Sequence, residues 1–126
     1  MKLDLKLHGN ILLAHLGGRL DVNNVREIEK EIFTFAADKM SGHVIFNLGE
    51  VEFISSSGVA LFVAIMSKLR QTGKKFVICN LSSQVKKVLE LVEMMSIFEI
   101  FKDENDAFEY LSNNSFDLPL NTENNN

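Results

Sequence analysis

Three consecutive serines, Ser55, Ser56 and Ser57, stand directly before Gly58 and an apolar run over residues 59–66. Hydroxyls at the start of a helix lend themselves to three chemistries. One can accept a hydrogen bond from a backbone N–H and cap the helix. One can be the acceptor of a phosphoryl group, since helix-terminal amides and the helix dipole favour negative charge. One can act as a nucleophile if a base lies beside it. The plain structural reading is that Ser57 caps the helix while Ser55 and Ser56 face water.

The nucleophile reading finds no support elsewhere in the chain. The sequence contains no G-x-S-x-G elbow, no G-x-x-x-x-G-K-[ST] phosphate loop and no G-x-G-x-x-G turn. His8, His15 and His43 fall on strands or strand starts, without metal-ligand spacing and without a partnering cysteine or carboxylate cluster. The single cysteine, Cys79, sits inside an apolar strand, where a thiol is inert. No catalytic residue, metal site or cofactor is expected, and the chain reads as a binding protein, not an enzyme.

The element that presents the serines is a short buried strand over residues 44–48, followed by a loop that climbs out of the core. The helix after it begins at about Gly58 and runs to Leu69 or Arg70, where Thr72-Gly73 stops it. Because the loop follows a strand of an open α/β sheet, it emerges at the strand's carboxyl end, where such sheets bind or present ligands. The helix is apolar nearly all round, whereas covering a sheet face takes only a stripe. The surplus is buried under a neighbouring helix or offered to a partner, a weak homodimer included.

Ahead of this unit, residues 2–8 alternate strictly, with Leu3, Leu5 and Leu7 on one face, which predicts a half-buried edge strand. Gly9-Asn10 turns the chain into a returning strand over residues 11–16, which Gly17-Gly18 ends. Asn24 and Glu27 have capping-box spacing at the start of a first helix carrying Val25, Ile28, Ile32, Phe35 and Ala36 inward. Beyond the serine helix come a buried strand over 75–79, a helix capped by Ser82 or Ser83 with a Val85, Val88, Leu89, Val92 stripe, and a short edge strand near 97–101. A last helix opens at Asp103, with Ala107, Phe108 and Leu111 as its buried side.

The order is β-β-α-β-α-β-α-β-α, an α/β domain with a mixed central sheet: an N-terminal hairpin, parallel inner strands and about four helices. The domain spans 1–112, and the Asn-rich residues 113–126, which hold the only proline, Pro119, read as a disordered tail. A net charge of −4 over 126 residues argues against nucleic acid or an anionic membrane surface as partner. One cysteine suits a reducing compartment, and no secretory signal or spanning run is evident, so a cytoplasmic location is expected.

Several stretches together resemble the STAS domain of anti-sigma factor antagonists. Gly18-Arg19-Leu20-Asp21 resembles that family's G-x-[LI]-D, and Val44-Ile45-Phe46-Asn47-Leu48 its apolar run followed by Asp-Leu. VEFISSSG at 51–58 resembles V-x-[FY]-[IM]-D-S-[ST]-G, and residues 73–78 resemble the return strand. The likeness covers about residues 3–112. Two aspartates of the family pattern are replaced, by Asn47 and by Ser55.

Carried over by position, the resemblance implies that Ser56 is the phosphorylated serine, with Ser55 or Ser57 as second choices. It further implies a partner face built from Asp21, Asn23, Ser55, Ser56, Ser57, Gly58, Val59, Leu61 and Phe62. The implied partners are a serine kinase that also acts as an anti-sigma factor, and a serine phosphatase that resets the switch. Two alternatives stay open: a constitutive STAS scaffold that is never phosphorylated, and a nucleotide or anion sensor using backbone amides at residues 56–58.

Overall fold

The computed structural model describes residues 1–113, and the tail expected from Asn113 onward otherwise lies outside them. Five strands form one sheet in sequential order: β1 (Lys2–His8), β2 (Ile11–Leu20), β3 (Val44–Ile54), β4 (Phe76–Cys79) and β5 (Glu99–Phe101). The β1–β2 pair is antiparallel and the other three pairs are parallel. The helices are α1 (Val25–Ala37), α2 (Ser56–Arg70), α3 (Ser83–Leu91) and α4 (Glu104–Asn113), with a short 3₁₀ turn over Met95–Ile97. The expected element order and mixed sheet are those observed.

Three helices cover one sheet face and one covers the other. Ile28 and Ile32 of α1, Phe62 and Ile65 of α2, and Val85 and Leu89 of α3 join Leu16, Phe46 and Ile78 in the larger core. There Phe46, Phe62, Phe76 and Phe98 meet edge to face or tilted, with centroids 5.0–6.3 Å apart. On the opposite face Ala107 and Leu111 of α4 pack on Leu13, Ile45, Val77 and Cys79. This division disposes of the apolar surplus of α2. Val59, Leu61, Phe62, Ile65 and Leu69 are buried, and Val63 and Met66 pack against the same cluster, so most of its apolar surface is used within the molecule.

Several boundaries differ from the sequence expectation. Gly17-Gly18 does not end β2, which continues to Leu20 with register shifts beside both glycines. The residues after Leu48 are not loop: β3 continues to Ile54, paired with β2 alone, because β4 stops opposite Asn47. Beyond Gly17, the last β2 residue that pairs with β1, β2 and β3 thus continue as a two-stranded arm past the rest of the sheet. Bulges distort this arm, so its inward residues Leu48, Val51 and Ile54 recur every third position and hide the strand period. Asn24 occupies the N-cap position of α1 without a side-chain cap bond, so there is no capping box. In β1, Leu5 and Leu7 are 37% and 63% exposed, and only Leu3 packs against the core. Val92 lies past the end of α3 and is exposed.

Candidate functional site

The arm delivers Ser55 to its tip. Ser55 N–H donates to Leu20 O at 2.9 Å, which ties the end of β3 to the end of β2. Ser55, not Ser57, caps α2: its backbone is extended, and its Oγ accepts from Gly58 N at 3.4 Å. Ser55 O accepts from Val59 N at 3.1 Å, the first full helical bond. The helix therefore starts at Ser56, two residues earlier than the apolar pattern suggests. Gly58 is buried where α2 crosses β3, and a Cβ there would stand 2.6 Å from Ile54 Cγ1 and 3.1 Å from Leu20 O. Only glycine lets the helix approach the strand so closely.

This geometry distinguishes the three hydroxyls. Ser55 is half-buried and engaged as the cap, Ser57 is half-buried in the first turn, and Ser56 is exposed. No acidic residue lies in the first turn of α2, so no carboxylate on that turn opposes an added anion. Of the amides at residues 56–58 that an anion nest would use, that of Gly58 is occupied by Ser55 Oγ.

Because β2 and β3 are parallel neighbours, the loop after β2 opens at the same end of the sheet. Asp21 accepts from Asn23 N at 3.1 Å through Oδ1 and meets Arg19 Nε at 3.5 Å through Oδ2. Asn24 clamps the loop from within, accepting from Asp21 N at 3.1 Å and donating to Arg19 O at 2.6 Å. Asn23 and Val22 are exposed. Of the residues implied to meet a partner, Asn23 and Ser56 are thus exposed, with Asp21, Ser55 and Ser57 half-buried at this end. Gly58, Val59, Leu61 and Phe62 face the interior, the last three 6%, 5% and 0% exposed. They position the site and do not form its surface.

Some residues of this end escaped sequence reasoning. The Arg19 guanidinium lies 4.0 Å over the Phe53 ring, an exposed cation–π pair on the arm. The match to G-x-[LI]-D marked Arg19 only as the variable position. On the opposite sheet face, below the arm, Glu104 Oε2 receives Asn47 Nδ2 at 2.6 Å and His15 Nε2 at 2.6 Å. His15 therefore has a carboxylate partner, contrary to expectation, and it is one that lies far away in sequence. His43 is buried, with Nδ1 accepting from Lys75 N at 2.9 Å, and the His8 ring sits 4.9 Å from that of Phe108. Burial, with Glu104 and Asp103 nearby, pushes the Cys79 thiol up to about 12. Among the described residues no group of three or more His, Cys, Asp or Glu is placed to hold a metal ion, and no helix is long and apolar enough to cross a membrane.

Comparison with known proteins bears on this geometry. Residues 2–107 match the family model of the STAS domain, and the chain belongs to that family. It is 31% identical over 100 residues to a Bordetella bronchiseptica protein named as an anti-sigma factor antagonist, BtrV, a match spanning 79% of this chain and 85% of that one. It is 20% identical over 107 residues to the anti-sigma F factor antagonist of Paenibacillus polymyxa, spanning 85% and 92% of the two chains. Its fold is that of the antagonist SpoIIAA in its unphosphorylated form, with a TM-score of 0.78 at 23% identity over 90% of this chain and 98% of that one.

Proposed function

We propose that this STAS protein is an anti-sigma factor antagonist whose partner binding is switched by phosphorylation of Ser56. The observation that carries the reading is the exposure of Ser56, alone among three adjacent serines, at the tip of the β2–β3 arm and the start of a helix. The names of the curated relatives point the same way. Unmodified, the end of the sheet that bears Asn23 and Ser56 docks a serine kinase that doubles as anti-sigma factor. A phosphate on Ser56 adds about −1.5 to −2 charges at the centre of that contact. The N-terminus of α2 accommodates the charge without unfolding, so the switch is electrostatic and needs little rearrangement. A serine phosphatase resets it, and all of this takes place in the cytoplasm.

The test is phosphopeptide mapping of the protein from its own cells, with co-purifying proteins identified in the same sample. Phosphate on Ser56 and a kinase in the pull-down are expected. In vitro, Ser56→Asp weakens kinase binding while Ser56→Ala preserves binding and abolishes phosphate uptake. A Ser56→Asp protein that binds its kinase as tightly as the parent would falsify the reading. Ser55 and Asn47, which replace the aspartates of the family pattern, favour a second reading: a STAS scaffold bound constitutively to a non-kinase partner. An unmodified 55–57 peptide under several growth conditions, with such a partner attached, would establish it.

A further inference from the structure

The outer edge of β1 has no neighbouring strand among the described residues, and it is regular enough to take one. Every residue of β1 pairs with β2 in unbroken register, and neither a bulge nor a proline blunts the edge. Leu12 N–H donates to His43 O at 3.0 Å, toward β3. The Leu7–Leu12 pair is therefore a non-hydrogen-bonded one, and the backbone groups of Leu7 point away from β2. By alternation those of Leu3 and Leu5 point outward too, while Lys2, Asp4, Lys6 and His8 bond to β2.

The side chains divide in the same way. Leu3 packs against the core of α1–α3, which puts Leu5 and Leu7 on that face, where both are exposed. Asp4 stands opposite His15, which reaches Glu104 of α4, so Asp4 and Lys6 lie on the α4 face. Both are exposed, and neither enters an ion pair among the described residues. The edge thus offers an outward backbone ladder, a row of leucines on one face and an acid and a base two residues apart on the other.

We propose that two copies of this chain join through that edge, β1 against β1, antiparallel and centred on Leu5, into one continuous sheet. In this register Leu5 meets Leu5 of the second copy and Leu3 meets its Leu7, so the outward N–H and C=O groups pair reciprocally. On the other face Asp4 stands opposite the second copy's Lys6, and Lys6 opposite its Asp4, two complementary cross-strand pairs. The adjacent registers lose this match. Centring on Asp4 sets Asp4 against Asp4 and Lys2 against Lys6, and centring on Lys6 sets Lys6 against Lys6. A slip of one residue sets leucines against charges. Main-chain bonds supply affinity and alternating side chains supply register, as in other strand additions. The contact is β1 and not the apolar helix α2, most of whose apolar surface is used within the molecule. Antiparallel pairing points the two β2–β3 arms in opposite directions, so Ser56 stays accessible on both copies.

Sedimentation of the full chain over a range of concentrations tests the proposal with variants at the two exposed charges. The parent should dimerise. Asp4→Lys and Lys6→Asp each set like charges opposite one another, and each should weaken the dimer at least about tenfold. An equal mixture of the two variants should regain the parent's affinity, because each supplies the charge the other lacks. Leu3, Leu5 and Leu7 amides of the parent should exchange more slowly as the dimer forms, and those of Val77 and Ile78 should not change. A parent that stays monomeric at the millimolar concentrations of an NMR sample overturns the proposal. So does a dimer that both variants form as tightly as the parent, which places the contact on another face, and so does a mixture that fails to regain affinity.

Discussion

Asn47 and His15 converge on a single oxygen of Glu104, and this contact explains an asparagine where the family pattern carries aspartate. An amide N–H can donate to the Glu104 carboxylate, whereas a carboxylate at the same place would repel it. Asn47→Asp is therefore expected to cost about 1–3 kcal/mol at neutral pH, the range for leaving a half-buried charge opposed. The cost should shrink as pH falls, because protonating either carboxyl restores a donor. Urea unfolding at two pH values checks this, and a constant deficit would argue for a packing defect instead. The departure from pattern was visible in the sequence, but its cause was not, since the partner lies 57 residues away. Cys79 gives a second expectation at this scale. Its thiol is raised from 9.0 to about 12, chiefly by burial and then by Glu104 and Asp103. Above pH 9 the unfolded chain sheds this proton while the folded chain keeps it, so stability falls toward pH 12 by at most about 1.4 kcal/mol per pH unit. Burial alone would lower Lys75, but its bonds to Tyr110 and Glu99 raise it, so its own alkaline loss begins only above 10.5. Cys79→Ala should flatten the slope between pH 9 and 10.5 and reduce it from there to pH 12, where the loss due to Lys75 remains, as measured by denaturant midpoints across the range.

Among elements, the start of α2 decides which serine is available, and a shift of two residues changes the answer. The apolar run from Val59 made the helix legible in the sequence, and the order strand, serines, glycine, helix located the site. That run could not show whether Ser55 or Ser57 is the cap, because both are serines within one run of three; the bond from Gly58 N decides it. The length of β3 was hidden for a different reason: its distal half pairs only with β2 across register shifts, and shows no period of two. Two substitutions probe this junction. Ser55→Ala removes the cap and should cost about 1 kcal/mol. Gly58→Ala would gain up to about 1 kcal/mol in helix propensity. Its new Cβ, however, would stand 2.6 Å from Ile54, so a net loss of about 1–3 kcal/mol is expected. Thermal unfolding of the two variants reads both effects, and a stabilised Gly58→Ala protein would mean that α2 does not press on β3 as described. Ser56→Asp should behave oppositely to both, gaining a few tenths of a kcal/mol from the helix dipole even as it weakens partner binding. Its stability and its affinity then move in opposite directions, which separates the switch from damage to the fold.

At the level of the whole molecule, the three-to-one division of helices sets how the protein opens. The pattern of apolar residues identified every helix but not its side of the sheet, because a strand buried on both faces gives no sign of which face a later helix will choose. In the structure α1, α2 and α3 share one large core, while α4 rests alone on a small one of Leu13, Ile45, Val77, Cys79, Ala107 and Leu111. Polar contacts at two of its residues fasten it: Glu104 to Asn47 and His15, and Tyr110 to Lys75 and Glu99. Less apolar surface is lost when α4 lifts than when any part of the larger core opens, so α4 should detach as a unit below the free energy of global unfolding. Native-state hydrogen exchange with increasing denaturant should show α4 amides merging at a lower free energy than those of α2 and β4. Glu104→Ala should lower the α4 value further, by about 1–3 kcal/mol, and leave the α2 amides to follow only the global change. Uniform exchange across both faces would show the two cores to be one cooperative unit. If α4 does open alone, the helices on the other face, α2 with Ser56 among them, stay intact while α4 breathes. The partner binding proposed at Ser56 should then be insensitive to Glu104→Ala, which the same variant tests directly.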